Sequence, residues 1–259
     1  MDADGTAETE DALRRLIATF SQAQNRQLLN IANAMRVDVL FHRLQGSDIV
    51  TPNFNNELMA RLQAHHGTHS KHLDRISWED AFAAGVKADG RRVTRTASAT
   101  TRYYDLGVDD QKFALKSTAA KDVRAGAVHI SKLCEAAWIQ DCRGAQMRRD
   151  RAFEAVRAYL GEVDRLLYLR VLPHTTVWQY ELLEVPLQLF DGIFNAGLAE
   201  FAPDSPRVVV SDDGGPAMKF VLDRSDSKIT IAAIPKARCV VHGTWSLPKS
   251  VAHDYGDED

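Results

Sequence analysis

Long apolar runs are missing from this chain. No stretch approaches the ~20 residues that a bilayer-spanning helix needs, so no membrane partner is expected. Cysteine is scarce: Cys134, Cys142 and Cys239 are odd in number and form no C-x-x-C pair. That argues against a disulfide framework and a zinc ribbon, and it fits a reducing cytoplasm. Neither sign of charge dominates, with 32 basic and 35 acidic residues and a net charge of −3. A nucleic-acid binder with this balance must gather its positive charge on one face. Walker A, the Rossmann glycine fingerprint and G-x-S-x-G are all absent, as are internal repeats and low-complexity linkers. The opening Met1-Asp2-Ala3-Asp4 is acidic and lacks an apolar run, so it does not read as a signal peptide.

What is present suits one sizeable domain, or one domain with a helical appendage: 259 residues, 45% hydrophobic and 26% charged. Leu13, Leu16, Ile17 and Phe20 form a one-sided helical stripe. Leu29, Ile31, Ala32 and Met35 carry a second helix, and 56–63 a short third. Ser77 reads as an N-cap with Asp80 completing a capping box, and Gly90 closes that helix. Two β-prone runs, 100–106 and 112–118, flank the turn-like Gly107-Val108-Asp109-Asp110. Helical periodicity returns over about 131–163, broken near Gly144. Strands are expected at 166–171 and 176–183, then a short helix opened by Pro186. Four more strands are expected at 207–210, 218–222, 229–234 and 239–245, with hairpin turns at 212–216, around Gly214-Gly215, and at 223–227. The order predicts an α/β or α+β protein.

Asp105 ends one expected strand, and Lys116 lies eleven positions later on the next. Adjacent strands bring such a pair together at a sheet's end, as metal-dependent phosphodiester cleavage requires. A carboxylate-held Mg²⁺ neutralises charge growing on the phosphate and acidifies a bound water. A lysine beside it helps orient or deprotonate the nucleophile. Spacing alone fits equally a turn acid beside a snorkelling lysine.

The segment Tyr104-Asp105-Leu106-Gly107-Val108-Asp109-Asp110-Gln111-Lys112-Phe113-Ala114-Leu115-Lys116, continuing into Ala119-Ala120-Lys121, is similar to the core of the SmaI-like type II restriction endonucleases, a branch of the PD-(D/E)XK nucleases. The likeness runs on through His129, Ser131-Lys132 and Glu135, back to Trp78-Glu79-Asp80-Ala81-Phe82, and onward to Leu183-Glu184-Val185-Pro186 and 239–245. It implies a restriction-endonuclease-like core over 77–250: a mixed central sheet flanked by helices, with helical decoration at 1–76 and an acidic tail at 251–259. It further implies a cytoplasmic, Mg²⁺-dependent hydrolase of double-stranded DNA, a homodimer cutting a short palindrome, perhaps CCCGGG as SmaI-like enzymes do, and leaving 5′-phosphate ends. A protecting DNA methyltransferase would accompany it. Asp105 would bind the metal and Lys116 serve the attacking water.

One position departs from the superfamily pattern. The second acid belongs two residues before the lysine, and Ala114 stands there on the same strand face. Glu79 or Glu135, each expected on a helix, is the candidate replacement, both as metal ligand and as catalytic residue. Glu79 also suits the first turn of a helix regardless of catalysis. Lys121, Arg124 and Lys132 around the motif read as DNA contacts or as a solvated face. Arg148-Arg149-Asp150-Arg151 resembles an R-x-D-R element that reads CCGG; Arg148 and Arg151 would take guanine and Asp150 cytosine. His242 is a further DNA-facing candidate, and Trp245 reads as DNA-facing or core. His65, His66, His69 and His72 suggest a mobile loop more than a zinc site. Two other functions remain open: a repair or structure-specific nuclease of the same superfamily, and a DNA-binding protein with a dead site.

Overall fold

The computed structural model describes residues 3–95, 103–212 and 215–249. Helices α1 (Ala3–Ile17) and α2 (Gln22–Met35) lead to a short strand β1 (Leu40–Arg43), then α3 (Pro52–His66) and α4 (Arg75–Ala88). Strands β2 (Val93–Arg95), β3 (Leu106–Val108), β4 (Gln111–Thr118) and β5 (Ala127–Glu135) precede α5 (Ala145–Glu162). Then come β6 (Arg165–Leu172), β7 (Val177–Val185), β8 (Arg207–Asp212), β9 (Gly215–Asp223), β10 (Lys228–Pro235) and β11 (Val240–Pro248).

The strands make two sheets. A seven-stranded mixed sheet runs β1-β11-β7-β6-β4-β3-β2, and a four-stranded antiparallel sheet runs β5-β10-β9-β8. Only β4 and β6 pair in parallel, because α5 carries the chain back between them. The large sheet is covered on both faces. Phe113, Leu115, Leu167, Leu169 and Trp245 pack with Phe54, Leu58, Trp78 and Phe82 of α3 and α4. Ala114, Leu166, Tyr168 and Leu183, on the opposite face, pack with α5 and the small sheet. This is the mixed α/β architecture, a central sheet flanked by helices, that the resemblance implies; the second sheet was not foreseen.

Several boundaries differ from expectation for local reasons. Helix α4 is capped by Asp74, whose carboxylate accepts the Ser77 amide at 2.7 Å, so Ser77 lies inside the first turn. Helix α3 is longer than 56–63, because Thr51 caps it and Pro52 fits its start. Gly90 does end α4, with φ +76. The span from 131 to 135 is strand, not helix. Its pairing with β10 shifts register between Ile229↔Cys134 and Ile231↔Ile130, so buried Ile130, Leu133 and Cys134 fall at helical spacing on an irregular strand. Gly107 and Val108 belong to β3, and the turn is Asp109-Asp110, with Asp109 at φ +53. Of the run expected at 100–106, 100–102 lies outside the described residues; 103–105 precedes β3. Part of the 212–216 turn, Gly214 included, and the acidic tail also fall outside them. No described helix is long and apolar enough to cross a membrane.

The histidine stretch is mostly helix end, not loop. His65 and His66 close α3, and His66 is fully buried, bonded to Tyr180 Oη at 2.8 Å and stacked on Trp178. No group of three potential metal-ligating acids, histidines or cysteines exists among the described residues. Burial, and next the neighbouring His65, push the His66 pKa down to about 3. Its unfolded value is about 6.5. A lowered histidine contributes stability above pH 6.5 that is lost as pH falls towards 3. Between pH 7.5 and 5.0 the chain is expected to lose about 2 kcal/mol from this residue. Urea unfolding of parent and His66→Gln at both pH values checks it, and equal pH dependence in the two proteins would refute it.

Candidate active site

The hairpin β3–β4 builds the site. Its ladder stays regular as far as Leu106↔Phe113, and the Asp105 amide then donates to the Phe113 carbonyl at 2.9 Å. At the next step the Asp105 carboxylate replaces a main-chain partner: Oδ2 accepts the Leu115 amide at 2.7 Å. Asp105 is thus tied to β4 one residue before Lys116. Its other oxygen accepts no hydrogen bond among the described residues. Ala114 and Lys116 share the face towards α5, as period two requires. Lys116 is half-buried and forms no ion pair among the described residues. It approaches buried Cys134, whose thiol burial pushes up to about 12 while Lys116 pulls the other way. That thiol is therefore inert at neutral pH.

Glu79 enters from the first turn of α4. Trp78 and Phe82 on the same helix are fully buried against the sheet, and Asp80 pairs with Arg95 of β2. These contacts hold the Glu79 carboxylate partly out of water, at 18% exposure. Its Oε1 is buried with no hydrogen-bond partner, although Arg75, one turn earlier, lies 3.2 Å away. Burial, and next the charge of Asp105, raise its pKa; Arg75, Lys116 and Arg95 oppose the rise. Two carboxylates that repel one another, faced by a lysine, make a site that gains from a cation.

The residues present fit a hard divalent ion. The donors are carboxylate oxygens, and one is buried without a partner. With no third acid grouped beside them among the described residues, water and a substrate phosphate would complete an octahedral shell, as is usual for Mg²⁺.

The other candidates separate. Glu135 ends β5, not a helix; it is exposed, pairs with Lys132 and does not join the two acids. Lys121 and Arg124 are exposed in the loop after β4. Beside them a 280 Å³ cavity is lined by Thr118, Arg124, His129, Tyr168 and Lys219. Asp150 and Arg151 are exposed on α5 and line a surface hollow with Arg143. Arg148 corrects the expectation of a base contact. It is buried, and its guanidinium donates to the Phe201 and Ala202 carbonyls at 2.8 and 2.6 Å and reaches Asp204. His242 is likewise turned inward. It is 2% exposed and bonds Ser47 Oγ at 2.8 Å and Glu184 at 2.9 Å, while Arg165 joins Glu184 to Asp48. A ring with both nitrogens committed in the interior is not a DNA-facing residue. Trp245 is core, donating to Asn55 at 2.8 Å. Sequence reasoning missed Arg75 and Arg95 beside Glu79. The i, i+4 spacing of Arg75 was a usable signal, whereas Arg95 arrives only through tertiary packing.

A split acid pair beside a strand lysine, on a mixed sheet between helical layers, is the frame of a phosphodiester-cleaving enzyme. A family model described as SmaI, type II site-specific deoxyribonuclease, matches residues 13–247, and the chain belongs to that family. The match takes in most of the helical region before residue 77. Among individual proteins the chain is similar to the type II restriction enzyme SmaI of Serratia marcescens, 25% identical over 254 residues, covering 92% of this chain and 97% of that relative. No solved structure matches it.

Proposed function

We propose that this chain is a magnesium-dependent restriction endonuclease that hydrolyses double-stranded DNA at a short palindrome, CCCGGG being the first candidate, and leaves 5′-phosphate ends. The carrying observation is Asp105 tied to the Leu115 amide beside Lys116, with the partnerless buried oxygen of Glu79 facing the same acid. Asp105 and Glu79 would hold the cation, which when bound supplies charge neutralisation at the phosphate and a more acidic water. Lys116 orients that water or takes its proton. Exposed Lys121 and Arg124 meet phosphates, which fix position without reading sequence. Asp150 and Arg151 remain the base-reading candidates on α5. A palindrome is two-fold symmetric, so the working form is a C2 homodimer with one site per strand. Its place is the cytoplasm, alongside a methyltransferase that protects the host's own sites.

Digestion of a sequenced plasmid in Mg²⁺, with and without EDTA, tests this. Discrete fragments with 5′-phosphate ends at one palindrome are expected, and only without chelator. A smear would replace it with a repair or structure-specific nuclease. Ala114 gives the dead-site reading its one supporting observation; gel retardation of DNA without any cutting would establish that reading instead.

A further inference from the structure

Tyr159 of α5 is fully buried, yet its hydroxyl has no hydrogen-bond partner. Buried hydroxyls are nearly always satisfied, because desolvating one without a partner costs stability. The ring is well held: it packs among Ala114, Cys134 and Tyr168 and meets Tyr103 edge-on at 6.0 Å. Nothing in that packing needs the oxygen; phenylalanine would fill the same cluster. The oxygen lies in the neighbourhood of the site, since after burial the charges nearest to it are those of Cys134 and Asp105. Ala114 belongs to the same cluster and stands two residues before Lys116, where the superfamily pattern has an acid. Its single methyl leaves room beside the sheet that a longer side chain would fill.

We propose that Tyr159 is a positioning residue of the active site: its buried hydroxyl holds, beside the small Ala114, the water that stands in for the missing carboxylate. The inference rests on the cation-site reading above and deepens it. The phenol can donate to Asp105 through that water while the water's remaining lone pair faces the cation. A neutral hydroxyl and water impose no further negative charge beside Asp105 and Glu79, which already repel one another. Such outer partners typically change metal affinity or activity by about 10–100-fold.

Tyr159→Phe provides the test, with Ca²⁺ as the probe for binding. Thermal unfolding in EDTA should be unchanged or raised, because an unsatisfied hydroxyl has been removed. Ca²⁺ affinity by calorimetry should fall about tenfold or more, and cleavage should slow by a comparable factor. Adding Ala114→Asp to Tyr159→Phe should restore Ca²⁺ affinity by returning the carboxylate. Equal Ca²⁺ affinity in parent and Tyr159→Phe overturns the proposal. Should Tyr159→Phe fail to fold, Ala114→Val keeps the hydroxyl but occupies the water's place; the same loss is expected, and parental Ca²⁺ affinity overturns the proposal. A parent that neither binds Ca²⁺ nor cuts plasmid would overturn the cation-site reading itself, which a parent active in both assays leaves standing.

Discussion

Lys116→Ala is expected to lower DNA cleavage by about 10²–10⁴-fold, the range that positioned proton-transfer groups contribute, while DNA binding in Ca²⁺ stays near parental. The side chain is half-buried at a strand position whose main-chain bonds do not depend on it, and among the described residues no acid is left unpaired by its removal. Its loss should therefore spare the fold. Asp105 differs, because its carboxylate satisfies the Leu115 amide, so replacing it disturbs hairpin and site together. Single-turnover cleavage, binding in Ca²⁺ and a melting curve for each variant separate these effects. A Lys116→Ala protein that nicks plasmid at near-parental rate would remove lysine from the chemistry.

Glu181→Ala is expected to be the most damaging single change to stability. Arg170 of β6 is completely buried, and its guanidinium bonds Glu181 at 2.5 Å and the carbonyls of Arg124, Ala125 and Ala127 at 2.7–2.9 Å. Glu181 also pairs with Lys236. Removing the acid strands a buried cation, which typically costs about 3–5 kcal/mol, or roughly 6–20 °C in melting temperature for a domain near this size. Replacing both partners with apolar residues of similar volume should recover much of that loss. Calorimetric melting of the single and double variants decides it, and a loss below about 1 kcal/mol for Glu181→Ala would contradict the pairing. Because Arg170 also grips the loop that presents Arg124, DNA affinity should fall along with stability.

The central hairpin was the most legible part of the chain. Asp105, Lys116 and β4 follow from alternation, a two-residue turn and acid-to-lysine spacing, all properties of adjacent residues. Strands β6 and β7 were legible because near-continuous apolar runs leave little choice. What escaped was set at a distance. Strand β1 exists because β11 supplies its partners, nearly two hundred residues away. The bulged pairing that gave β5 a helical rhythm lies in β10, not in β5. Arg148 and His242 carry the residue types of a DNA face, and only the carbonyls of 201–202 and the Ser47–Glu184 pair turn them inward. Glu79 and Glu135 could not be separated by spacing, because the choice depends on which element packs beside Asp105.

The pairing of β1 with β11 has a consequence during synthesis. Residues 40–43 leave the ribosome early, whereas their partners, 243–246, are among the last made. At about 5–20 residues per second, β1 and the facing edge of β7 wait roughly 10–40 s with unpaired amides. Nascent chains from neighbouring ribosomes could meet at those edges before the native partner arrives. The short β1, with Arg43 at its end and three of its four residues exposed, offers little apolar surface to such a partner.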